Sequence, residues 1–269
     1  MNKLAKLFRA LGLVIRKPAL LNLVLNDEEV NKKMVIEKYL LSAGLPVVDL
    51  LDIVPNFREK IDPFCFLDGG STPPDLGLLK ALAASFPSCE YFEIGTWRGE
   101  SVANVASVAT HCTTLNLPDE EMRKLGMSKD YVQSHRFFSE KLQNVTHLQH
   151  NSLTFDFQSL QQKFDLIFID GDHHYESVRS DTANAFRLLK DERSMIVWHD
   201  YSHTPSSGIR WDVVRGILDG APKEKQAGLY HVSNTLCALY SSQPLVSKQV
   251  SLFDPPNKYF TVTLTTQRI

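Results

Sequence analysis

The feature that most constrains this chain is an alternation of short apolar runs with helical stretches. Runs at 90–94 (EYFEI), 113–117 (TTLNL), 145–149 (VTHLQ), 165–170 (DLIFID) and 195–199 (MIVWH) read as strands. Residues 99–109, 130–142, 155–162 and 175–190 lie between them and read as helical. Largely apolar strands need cover on both faces, and a strand-helix-strand order supplies it. The expected fold class is α/β: a Rossmann-like, doubly wound, mostly parallel sheet. Ahead of it, Ser71 or Thr72 caps a helix with Pro73 in its first turn and Leu76, Leu79, Leu82 and Ala83 on one face. Behind it, 209–219 reads as an amphipathic helix. Residues 228–233 and 236–241, joined at Asn234-Thr235, read as a closing pair that adds an antiparallel strand. The tail at 259–265 (YFTVTLT) alternates and is expected to add an edge strand.

Composition removes several classes. With 43% hydrophobic residues in 269, the chain can bury a sizeable core. A net charge of −2 leaves no electrostatic footprint for a nucleic-acid partner. No run of about 18 uncharged apolar residues is present, so no transmembrane helix is expected. Cys65, Cys89, Cys112 and Cys237 lack CxxC spacing and read as free thiols of a reducing, cytoplasmic setting.

The charge is unevenly spread: residues 1–26 hold Lys3, Lys6, Arg9, Arg16 and Lys17 and no acid. Residues 3–16 read as an amphipathic helix with Leu4, Leu7, Phe8, Leu11, Val14 and Ile15 on one stripe about 120° wide. Three uses stay open: packing on its own domain, a homodimer contact, or peripheral contact of residues 1–17 with an anionic membrane. A further helix is expected at 28–42, and the Pro- and Gly-rich segment 43–74 reads as an irregular connector. The expected division is an N-terminal helical extension or lid at 1–86, a core at 87–244 and a C-terminal tail at 245–269.

The turn after the first core strand reads Glu93-Ile94-Gly95-Thr96-Trp97-Arg98-Gly99-Glu100-Ser101. It sits where a parallel sheet binds ligands, and its glycines let a backbone approach closely. A dinucleotide fingerprint would carry glycine where Trp97 stands, so pyrophosphate is disfavoured. An acid two residues before Gly95 attracts a cationic or hydroxyl-rich ligand instead. This segment resembles the first motif of class I S-adenosylmethionine-dependent methyltransferases. Phe164 to Glu176 (FDLIFIDGDHHYE) resembles their fourth-strand motif, in a form similar to the macrocin-type sugar O-methyltransferases, and Met195 to Tyr201 (MIVWHDY) resembles the fifth-strand end. The resemblance covers about 87–241. It implies that Glu93, Gly95, Thr96, Gly99 and Ser101 hold the methionine part of the cofactor. It places Asn116 at the ribose, Asn151 and Ser152 at the adenine, and Asp170 beside the cofactor.

Asp170, Asp172, His173 and His174 follow one strand, and His199 and Asp200 the neighbouring one, so the two groups are expected to converge. In the sugar methyltransferases resembled, the first Asp of DGD and a pair of acids after strand five hold a divalent metal. That implies Asp170, His199 and Asp200 as ligands of Mg²⁺ or Mn²⁺, with His199 standing where an acid would be. The imidazole shifts preference away from Mg²⁺. Asp172 and His173 are the candidate bases. The expected reaction is methyl transfer from S-adenosylmethionine to a hydroxyl oxygen of a small sugar-like or glycosylated acceptor. Two rivals remain: a metal-dependent hydrolase or hydroxylase using the Asp/His cluster, and a non-catalytic module binding S-adenosylmethionine or a nucleotide.

Overall fold

A computed structural model describes residues 3–16, 28–205, 207–249 and 255–268. Helices α1 (Lys3–Arg16) and α2 (Glu28–Tyr39) precede strand β1 (Val47–Val48) and a helical turn at Leu50–Ile53. Then follow α3 (Pro73–Ala84), β2 (Glu90–Ile94), α4 (Glu100–Ala106), β3 (His111–Asn116) and β4 (Val145–Gln149). The chain continues through β5 (Leu166–Ile169), α5 (Tyr175–Leu188), β6 (Met195–Trp198), the hairpin β7 (Ser202–Thr204) and β8 (Ser207–Ile209), and α6 (Trp211–Gly220). Strands β9 (Leu229–Val232), β10 (Ala238–Tyr240) and β11 (Ser247–Lys248) close it.

The main sheet runs β11-β1-β9-β10-β6-β5-β2-β3-β4. Its β6-β5-β2-β3-β4 part is parallel throughout, and β10 joins β6 antiparallel, as the closing pair was read. The order reverses at β2, which lies between β3 and β5. The loops leaving β2 and β5 therefore open a crevice at the carboxyl end of the sheet, the position where such folds take ligands. Alternation along the strands feeds two apolar layers. Phe92, Ile94, Ile167, Ile169, Ile196 and Trp198 pack with residues of α5 and α6. Tyr91, Leu166, Phe168 and Val197 pack with α3 and α4.

The division expected at residue 86 runs through this core. Val35 and Leu45 belong to the first layer, and Val48, Leu50, Leu78, Leu79 and Leu82 to the second. The connector also supplies a strand, since β1 pairs parallel with β9 and antiparallel with β11. Residues 28–86 are thus part of the α/β body. The edge strand expected at 259–265 does not form: those residues have no regular structure, with Tyr259, Val262 and Leu264 exposed. Alternation alone did not bring them to the sheet, whose edge is taken by β11.

Several helices are shorter than their sequences predict. The segment 130–142 is helical only over Lys129–Ser134, because Arg136 turns left-handed (φ 64°) and the N–H groups of Arg136 and Phe138 donate to the Trp97 and Arg98 carbonyls. The segment 155–162 contains one 3₁₀ turn, Phe157–Leu160. The helix expected over 28–42 stops at Tyr39, where Leu40 is left-handed (φ 59°). All four cysteines are free thiols, and Cys89, Cys112 and Cys237 are buried. Among the described residues no helix is long and apolar enough to cross a membrane.

Candidate functional site

Two glycines shape the loop that leaves β2. Gly95 has φ +94°, and a Cβ there would lie 2.0 Å from the Asp170 carbonyl oxygen. Gly99 has φ +81°, and its Cβ would lie 2.3 Å from Ser139 Oγ. Any side chain would push the loop off the end of β5 on one side and off residue 139 on the other. Between them, the Thr96 N–H donates to Asn116 Oδ1 at 3.2 Å and its hydroxyl donates to Thr114 at 2.9 Å. Gly95, Thr96, Gly99 and Asn116, expected around one ligand, therefore belong to one hydrogen-bonded loop. Trp97 is also left-handed (φ 44°) and packs at a tilt of 39° against Tyr131 at 4.4 Å, with His135 edge-on at 4.9 Å.

Two expected contacts are redirected. Glu93 is fully buried, accepting the Tyr91 hydroxyl at 2.6 Å and the Ser101 hydroxyl at 3.0 Å. Burial pushes its carboxyl up to about 8. Two residues apart on one strand, Tyr91 and Glu93 face the same side, under α4. A covered acid that keeps its proton offers no charge to the methionine ammonium, and Ser101 has already given its hydrogen to Glu93. After β4, Asn151 closes a turn by accepting the Leu153 N–H at 3.0 Å. Ser152 faces Asp181, a carboxyl that burial pushes up to about 7.

The two Asp/His groups do converge. His199 Nδ1 lies 3.0 Å from Asp170 Oδ1 and 3.7 Å from Asp200 Oδ2. Its Nε2 is buried without a hydrogen bond, 3.4 Å from Asp75 Oδ2. Burial alone would lower this imidazole's pKa, but Asp170, Asp200 and Asp75 outweigh it and hold it well above the ordinary value. Burial raises Asp170, against the pull of His199. Burial also acts to raise Asp200, yet His199 and Arg210 overcome it and keep that carboxyl ionised. Asp200 sits in the left-handed region (φ 57°), which aims its carboxylate back at His199, at Arg210 Nη1 (2.9 Å) and at His173 Nδ1 (3.9 Å). Non-glycine residues held this way cluster at functional sites. Burial and Arg210 keep His173 below the ordinary histidine pKa, so it is neutral at pH 7.

Asp172 lines the same cleft but makes none of the ion pairs to His199. It accepts the His174 N–H at 3.1 Å, His174 Nδ1 at 2.5 Å and the Ser177 hydroxyl at 2.9 Å. Its oxygens are thus engaged at the start of α5.

Asp75, Ser71 and Arg210 complete the cluster and were not anticipated. Asp75 was visible only as the fourth residue of Thr72-Pro73-Pro74-Asp75. It accepts the Thr72 N–H (2.7 Å) and hydroxyl (2.6 Å) and the Leu236 N–H (2.7 Å), which fixes it fully buried behind His199. The Ser71 hydroxyl donates to Asp170 Oδ2 at 3.3 Å. The connector is held there by the buried Arg98–Glu100 pair, in which Arg98 reaches the Asp68 carbonyl and Glu100 accepts the Cys65 N–H.

One ligand atom each from Asp170, His199 and Asp200 lie within 4.8 Å of one another. This donor set fits a divalent ion. Nδ1 faces the two carboxylates, while Asp75 stands 3.4 Å from Nε2 on the other side of the ring.

Residues 92–201, which hold the glycine loop and both halves of this cluster, match the family model described as a methyltransferase domain. This span carries a methyltransferase domain. No curated protein sequence matches it. The domain is similar to a solved O-methyltransferase described as putative from Klebsiella pneumoniae (20% identity, 65% of this chain and 83% of that one, TM-score 0.46). It is also similar to an O-methyltransferase from Bacillus cereus in complex with S-adenosylhomocysteine (14% identity, 82% and 94% covered, TM-score 0.45). A third is the TDP-rhamnose 3′-O-methyltransferase of calicheamicin biosynthesis (13% identity, 62% and 76% covered, TM-score 0.43). In this methyltransferase domain the three motifs end β2, β5 and β6, so their loops share one rim of the sheet.

Proposed function

We propose that the domain transfers the methyl group to a hydroxyl oxygen of a small acceptor, sugar-like or glycosylated, with His173 as the base. The observation that carries this reading is the convergence of His173, Asp200, His199 and Asp170 on one cleft beside the glycine loop. The hydroxyl oxygen attacks the methyl carbon, the carbon–sulfur bond breaks and S-adenosylhomocysteine leaves. The hydroxyl proton goes to neutral His173, whose Nδ1 lies 3.9 Å from the Asp200 carboxylate. Holding the oxygen in line with the methyl–sulfur bond supplies most of the acceleration. Gly95, Thr96, Gly99 and Asn116 line the cofactor side, with Asn151 and Ser152 at the adenine. Asp170, His199 and Asp200 would hold a divalent ion, which when bound lowers the pKa of an acceptor hydroxyl. A reducing, cytoplasmic setting belongs to the same proposal and accords with the free thiols.

The test is labelled S-adenosylmethionine offered with a panel of nucleotide sugars and glycosides, followed by mapping of the methylated atom. His173→Ala is expected to lower kcat by roughly a hundredfold or more, while calorimetry finds cofactor affinity unchanged. Methylation at nitrogen or at a carboxylate, or full activity in His173→Ala, would overturn the assignment.

A further inference from the structure

The α/β body leaves one amphipathic element unaccounted for. Helix α1 has no buried side chain. Leu4, Leu7, Phe8, Leu11 and Ile15 fall on one stripe and are each between 50% and 79% exposed. A 14-residue helix is marginal in water alone, so a stripe of this kind calls for an apolar partner. The charges decide which. Lys3 borders the stripe, Lys6, Arg9 and Arg16 occupy the rest of the surface, and α1 contains no acid. Two copies of α1 packed stripe to stripe would bring Lys3 to the edge of the seam and leave Lys6, Arg9 and Arg16 on the outer face, with nothing of opposite sign on either helix to pair them. Anionic headgroups supply the missing counter-charge, while the acyl boundary takes the leucines, Phe8 and Ile15.

We infer that α1 is a membrane-surface helix that docks the methyltransferase on anionic phospholipid. The helix lies in the interface plane, with Leu7, Phe8 and Leu11 inserted and Lys6 and Arg9 among the phosphates. The α/β body is then held at the bilayer surface, which favours acceptors presented there. The inference rests on residues outside the catalytic cleft, so its failure would leave the proposed methyl transfer untouched.

Flotation of the full chain with vesicles tests it, using phosphatidylcholine alone or phosphatidylcholine with about one-third phosphatidylserine. The chain is expected to float with the anionic vesicles only, and the bound fraction to fall roughly tenfold or more as salt rises from about 0.1 to 0.5 M. The double variants Leu7→Glu/Phe8→Glu and Lys6→Glu/Arg9→Glu should each lose binding, while keeping the thermal midpoint and the affinity for S-adenosylmethionine of the parent chain. No flotation with anionic vesicles, equal binding to neutral ones, or undiminished binding by either variant would overturn the inference. So would a dimer that Leu7→Glu/Phe8→Glu dissociates in a chain that ignores vesicles, since the stripe would then be covered by a second copy.

Discussion

Glu93 keeps a proton that ordinary carboxylates have lost by pH 7. Its pKa rises from 4.5 in the unfolded chain to about 8 in the fold, so between those values the folded state binds more protons than the unfolded state. Stability must therefore fall as pH rises through that window, by up to on the order of 5 kcal/mol at about 1.4 kcal/mol per unit. Asp181 acts in the same direction between 3.8 and about 7. Thermal unfolding from pH 5 to 9 should show the loss, and Glu93→Gln should flatten it, because the amide has no charge to bury. A slope unchanged in the variant would show that Glu93 is ionised in the fold. The acid itself is plain in the sequence. Its burial was also readable in principle, because Tyr91 and Glu93 share a strand face, but the motif drew the reading toward a ligand. The Asp75 contact to His199 was not readable, since 124 positions separate residues that lie 3.4 Å apart.

Elements show where local pattern was sufficient. Strands β2 and β4 have the predicted bounds, because an apolar run between turns leaves few alternatives. The segment 130–142 departs from prediction because its helical spacing competes with two backbone hydrogen bonds to the glycine loop, which α-helix could not make. The glycines of that loop can be tested against a control. Gly95→Ala meets the Asp170 carbonyl at 2.0 Å as well as an unfavourable φ, and should cost at least about 3 kcal/mol or prevent folding. Gly126→Ala shares the unfavourable φ (+85°) but meets nothing within 4 Å, and should cost only about 1 kcal/mol. Chemical denaturation of both variants measures the difference. Equal costs would mean that contact with β5 does not constrain the loop.

The whole molecule behaves as one α/β body reaching back to residue 28. A chain beginning at residue 87 would lose β1 and α3, and with them the cover of Leu166, Phe168 and Val197. It should be insoluble or show no cooperative unfolding. Each large apolar side chain of the remaining core that loses its cover forfeits about 2 kcal/mol or more, and α3 supplied that cover through Leu78, Leu79 and Leu82. Removing residues 1–17 should leave the thermal midpoint unchanged, since α1 buries no side chain. Calorimetry of the two shortened chains separates these outcomes, and a stable 87–269 fragment would restore the division at 86.

The sequence by itself determined the order of strands and helices, the parallel core and the three loops that meet at its carboxyl end. Each of these depends on periodicity or on a short motif, which are local properties of the chain. Tertiary structure alone decided that β1 and β11 extend the sheet and that Glu93 faces inward. It also set Asp75, Ser71 and Arg210 around His199 and Asp170, and it left the apolar stripe of α1 outside the core. These outcomes depend on which distant side chains compete for the same space and the same hydrogen bonds, and spacing along one chain does not encode that competition.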